Sequence, residues 1–66
     1  MKKHTLTIHG HVTSISLEDE FWDALKQAAY EEGLSVAGLV GLIDEDRNTG
    51  LSSAIRVFLF KRLADK

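Results

Sequence analysis

The chain has 66 residues, with 8 Lys and Arg against 10 Asp and Glu for a net charge of −2, and it contains neither Cys nor Pro. A chain of this length forms one domain at most, with a core that is marginal when it folds alone. Without Cys it has no disulfide and no thiolate metal site, and no apolar run approaches the ~20 residues that cross a bilayer. Association with a second copy is the remaining inexpensive way to bury more apolar surface.

The charge is unevenly spread. Lys2, Lys3, His4, His9 and His11 all precede the first acid, Glu18, and acids then cluster in "EDEFWD", "YEEG" and "DEDR". A basic N-terminal arm on an acidic body permits nucleic-acid binding through the arm without demanding it. The start "MKKHTLTIHG" has no continuous apolar stretch after its lysines, so a signal peptide is not expected and a reducing, cytoplasmic setting is.

Residues 4–17 read as extended. "HTLTIH" alternates Thr and His with Leu6 and Ile8, and after Gly10 the alternation resumes in "VTSISL". Gly10 marks either a turn between two strands or a bulge in one longer strand. Thr13, Ile15 and Leu17 then share one face, and Val12, Ser14 and Ser16 the other. A lone strand leaves its backbone unpaired, so its partner is expected in a second copy of the chain.

Residues 18–32 read as a helix, with Phe21, Leu25, Ala28 and Ala29 on one side. Glu18, Asp19 and Glu20 suit its N-terminal dipole, and Gly33 its C-terminal cap. Paired carboxylates invite an acid–base reading, but in a first helical turn they are ordinary electrostatic complements. Trp22 and Tyr30 fall on roughly one side and read as packing groups. Ser35 then caps a helix over 35–45, whose Gly38 and Gly41 each cost about 1 kcal/mol relative to Ala. Close approach to another helix would account for them. "DEDRNTG" breaks the pattern, and a last helix spans 51–64. Ala54, Ile55, Phe58, Leu59 and Leu63 form its apolar stripe, Val57 and Phe60 widen it, and Lys61, Arg62 and Lys66 suit its C-terminal end. A helix this apolar on most sides calls for enclosure, again by a dimer.

Metal chemistry has two weak candidates. Asp44, Asp46 and Asn48 have the opening spacing of a calcium loop, but Thr49 and Ile55 stand where its Gly and Glu are required. His9 and His11 form a possible imidazole pair on a strand face, needing His4 or a second subunit to close a site. No metal or cofactor is expected. The chain has no GxSxG, no phosphate-binding Gly loop and no nucleophile beside a His–carboxylate pair, and a chain this short has little room for a water-excluded pocket. It is not expected to be an enzyme.

"TSISLEDEFWDALKQAAYEEGLSVAGLV", residues 13–40, resembles the ribbon-helix-helix (Arc/MetJ-like) family of bacterial and phage repressors. "SISLEDEF" matches its strand-to-helix junction and "EEGLS" its Gly-x-Ser turn. "GHVTSISLE" and the closing "LSSAIRVF" look closest to a short alphaproteobacterial branch. The resemblance covers residues 10–63. It implies a mainly α fold with a short β-ribbon, an intertwined homodimer with paired strands, and an extra C-terminal helix. It implies further that the outer ribbon face enters the major groove of double-stranded DNA. Val12, Ser14 and Ser16 would then face the bases. Gly33, Ser35 and Val36 would present a helix N-terminus to a phosphate, and Lys2, Lys3 and His4 would add phosphate contacts. This chain departs from the pattern in three ways: its outer strand face has no Arg, Lys or Gln, its second helix is short, and its charge is acidic. With the break at 44–50, the helix from Leu51 is an alternative second helix, although "GLS" directly after the first favours the earlier one. The expected function is a DNA-binding transcriptional regulator. The alternative is a dimerisation or adaptor module that binds another protein, such as a toxin, through the third helix.

Overall fold

The computed structural model describes residues 1–65. Its elements are β1 (Lys2–Ile8), β2 (His11–Leu17), α1 (Asp19–Glu31), α2 (Val36–Asp46) and α3 (Leu51–Ala64). Lys66, assigned from sequence to the basic end of the last helix, lies outside the described residues.

The two strands form an antiparallel hairpin, in register from Ile8↔His11 at the turn to Lys2↔Leu17 at the open end. Between them stand only His9 and Gly10, both with positive φ, at 53° and 79°. A two-residue loop with both central residues left-handed matches the right-handed twist of a hairpin. Gly10 is therefore a turn. The partner strand expected from a second copy is supplied by the chain itself, because the basic arm folds back as β1 instead of extending.

Alternation then sorts the ribbon into two faces. Ile8, Ile15 and Leu17 are buried, with Leu6 packed beside them, while Lys3, Thr5, Thr7, Val12 and Ser14 are exposed. The inner face lies on the helices, with β1 against α2 and β2 against α3. Leu25, Ala28 and Ala29 of α1, Leu39, Val40 and Ile43 of α2, and Ile55 and Leu59 of α3 complete one core.

α1 ends in a Schellman motif. Gly33, at φ 70°, donates to Tyr30 O at 3.1 Å, and Leu34 N–H donates to Ala29 O at 2.9 Å. The chain then reverses into Ser35, whose Oγ accepts the Gly38 N–H at 2.9 Å and caps α2. Gly41 is approached closely, by the hairpin and not by a helix. A Cβ there would lie 3.5 Å from Ile8 and 3.6 Å from the His9 ring, and His9 Nε2 sits 3.1 Å from Gly41 O. Trp22 is half-buried whereas Tyr30 is 81% exposed. An eight-residue step overshoots two full turns of an α-helix by about 80°, which separates the two.

"DEDRNTG" forms no cation loop. Asp44 and Asp46 belong to α2, and Arg47 occupies the bend, donating to Asp44 Oδ1 at 2.6 Å and to Thr49 O at 2.8 Å.

Candidate nucleic-acid interface

The outer face of the ribbon is the surface the helices leave uncovered. Its register sets Lys3 opposite Ser16, Thr5 opposite Ser14 and Thr7 opposite Val12. Val12, Ser14 and Ser16, the positions assigned to base contacts from sequence, all lie on it. Thr5 Oγ1 and Ser14 Oγ are 3.4 Å apart across the strands. The face thus presents hydroxyls in a double row, one exposed valine and one ammonium. Hydroxyls can donate or accept, so the row matches either kind of base edge in a groove.

Thr5 and Thr7 were not assigned to this face from sequence. The signal was present in the alternation of "HTLTIH". It becomes usable only once Gly10 is known to be a turn, because the turn decides which β1 residues stand opposite Ser14 and Val12.

Cations divide into tied and free groups. Arg56 Nε donates to Glu18 Oε1 at 3.0 Å, and Arg62 donates to Glu31 at 2.6 Å and to Glu32 at 2.9 Å. Its own backbone N–H first, and then the Arg56 guanidinium, hold the Glu18 carboxyl below its ordinary value. Hydrogen bonds to Glu31 and then Glu32 hold Arg62 above its own. Among the described residues, Lys2 and Lys3 have no ion-pair partner, so the free positive charge of the arm is concentrated at the open end of the ribbon.

His4, expected beside those lysines, lies on the inner face. Its ring stacks on Trp22 with centroids 3.7 Å apart and planes 5° apart, and its Nε2 is buried without a hydrogen-bond partner. Gly33, Ser35 and Val36 form the α1–α2 turn. With the Ser35 hydroxyl taken by Gly38, the Val36 and Ala37 N–H groups remain free of intrahelical partners, as at any helix start. His9 sits in the turn and not on a strand face, directed at Gly41, while His11 opens β2 and is exposed. Among the described residues no group of three or more His, Cys, Asp or Glu could hold a metal ion.

The family model for the ribbon-helix-helix domain matches residues 1–63, which span the hairpin, α1, the α1–α2 turn, α2 and nearly all of α3. The chain belongs to the ribbon-helix-helix family. Such domains are typical of DNA-binding transcriptional regulators, typically dimerise and are typically not enzymes. This ribbon-helix-helix domain carries an N-terminal hairpin and α3 as an additional helix. No curated protein and no solved structure matches the chain. No helix among the described residues is long and apolar enough to cross a membrane.

Proposed function

We propose that the protein is a DNA-binding transcriptional regulator that inserts its hairpin ribbon into the major groove. The observation that supports this reading is the outer ribbon face. It is polar, uncovered, two strands wide, and backed on its other side by the helical core. A two-stranded ribbon fits the ~12 Å width of the major groove. Val12, Ser14 and Ser16 face base edges, joined by Thr5 and Thr7 from β1, and Val12 suits a thymine methyl. Lys2 and Lys3 contact phosphates, as does the start of α2 at Ser35 and Val36, which Gly33 positions by turning the chain. His4, committed to Trp22, belongs to the packing beneath the ribbon.

No Arg, Lys or Gln other than Lys3 stands on this face, so a bidentate base contact, worth about 1–3 kcal/mol of discrimination, is missing from its centre. Sequence preference therefore rests on hydroxyl contacts and on DNA shape, and modest specificity is the expectation. By "GHVTSISLE" and "LSSAIRVF" we also place the chain near the short alphaproteobacterial branch of its family.

The test is binding to random genomic fragments at low and at physiological salt, with the retained fragments sequenced. Enrichment of a short motif supports the regulator. Uniform, salt-labile retention reduces the role of the ribbon to charge. No retention at either salt rejects DNA binding and favours a protein-binding adaptor.

A further inference from the structure

We propose that a single chain reads an asymmetric stretch of duplex DNA, with a thymine methyl under Val12 and Lys3 at the diagonally opposite corner of the ribbon. The inference rests on the DNA-binding reading above and concerns the form of the target.

Both strands of the ribbon come from one chain, and their sequences differ, KKHTLTI in β1 against HVTSISL in β2. A ribbon built from the same strand of two copies is two-fold symmetric, with every outward group present twice. A single-chain ribbon is free of that constraint. On its outer face Lys3 and Ser16 form the row at the open end, Thr5 and Ser14 the middle row, and Thr7 and Val12 the row beside the turn. A two-fold axis through the middle row would exchange Thr5 with Ser14, Thr7 with Ser16, and Lys3 with Val12. The first two exchanges replace one hydroxyl by another. The third sets an ammonium against an isopropyl group, and it breaks the symmetry.

Val12 is 73% exposed and is the one apolar group among these six. Charge follows the same direction along the ribbon. Residues 1–17 contain no acid, and Lys2 and Lys3, their only Lys or Arg, both lie at the open end. An ammonium suits a phosphate or the O6 and N7 acceptors of guanine, whereas a valine suits the C5-methyl of thymine. From Lys3 to Thr7 the strand rises about 13 Å at ~3.3 Å per residue, the length of about four base pairs at ~3.4 Å each. The preference over that length is therefore one-ended, strong for thymine beside the turn and without a mirror image at the open end.

The experiment is selection from a duplex library randomised over one helical turn, about ten base pairs, at low salt. The proteins are the unaltered chain, Val12→Lys and Val12→Ser, with circular dichroism to check folding. The unaltered chain should recover an unmirrored thymine preference. Val12→Lys gives the two diagonal corners like groups and should recover a preference mirrored about its centre. Replacing the selected thymine by uracil removes only the methyl; it should weaken the unaltered chain about threefold and leave Val12→Ser unchanged. A mirrored preference in the unaltered chain, or an equal response to uracil in the two proteins, overturns the proposal while leaving DNA binding intact. Retention of all sequences alike overturns it as well. No retention at all rejects the DNA-binding reading and this inference with it.

Discussion

His4 lies flat on Trp22, joining the first strand to the first helix by a stack 3.7 Å between ring centroids. The contact closes the open end of the ribbon, where no turn holds the strands together. It also leaves Nε2 buried and unbonded, a state that costs about 1–3 kcal/mol. His4→Phe keeps the stack and removes the orphaned nitrogen. It should stabilise the fold by about 1 kcal/mol, a rise of ~4–8 °C in thermal midpoint for a domain of this size. Trp22→Ala should destabilise it by about 2–3 kcal/mol. A drop in midpoint for His4→Phe would show that the nitrogen has a partner in solution.

Gly10 controls the other end of the ribbon. At φ 79° it occupies a region that costs a residue with a Cβ about 1–2 kcal/mol. Gly10→Val should therefore loosen the hairpin, lowering stability by about 2 kcal/mol and speeding amide exchange in β1 and β2 more than in α1. Gly10→Asn, whose side chain tolerates this conformation, should cost less than half as much. Equal losses for the two would argue against the two-residue turn.

The Glu18–Arg56 pair ties the ribbon-to-helix junction to α3. Because the Glu18 carboxyl is held below its ordinary value, the folded state binds its proton more weakly than the unfolded chain does. The stabilisation is thus fully present above the ordinary carboxylate range and is lost as the pH falls through and below it. Glu18→Gln should flatten the acid limb of a plot of thermal midpoint against pH, with little change near neutrality because the pair is solvent-screened. Arg56→Gln should flatten it less, since the largest cause of the shift is a backbone hydrogen bond. An acid limb identical in all three proteins would remove Glu18 from the account.

Much of this architecture was legible in the sequence because the relevant forces are local. The alternation in "VTSISL" placed Ile15 and Leu17 in the core, and the Gly33–Ser35 signals placed a C-cap and an N-cap where the chain reverses. Ile55 and Leu59 followed from helical spacing in the same way. The origin of the second strand was not legible, since period-two alternation is identical for a strand paired within a chain or across a dimer. That choice rests on the φ angles of His9 and Gly10, which composition does not report. The reason for Gly41 was also hidden, because a hairpin that packs across α2 is a long-range relationship. His4 was misplaced for a related cause: a histidine beside two lysines reads as charge, whereas strand parity sets it on the inner face against Trp22.

Ser35 separates two roles that alanine substitution confounds. Its hydroxyl caps α2 by accepting the Gly38 N–H at 2.9 Å, and Ser35→Ala should cost about 1 kcal/mol of stability. Ser35→Asp keeps an accepting oxygen and favours the helix dipole, so stability should hold or rise. If a phosphate sits at this turn, the added carboxylate repels it and DNA affinity should fall at least tenfold. Unchanged affinity in a stable Ser35→Asp protein would move the phosphate contact elsewhere.

Lys2 and Lys3 stand at the open end of the ribbon with no ion-pair partner among the described residues. Each phosphate neutralised by a lysine releases condensed counterions and contributes about one unit to the slope of log affinity against log salt. The double substitution of both lysines by alanine should therefore lower that slope by about 2 and weaken binding to all sequences alike. Ser14→Ala, by contrast, removes a hydroxyl from the centre of the outer face without touching the charge. It should leave the slope unchanged and alter the ranking among sequences. The two variants thus divide positioning from readout on one small surface. If Ser14→Ala changes the slope, or the lysine pair changes the ranking, the ribbon is not oriented in the groove as its exposed face implies.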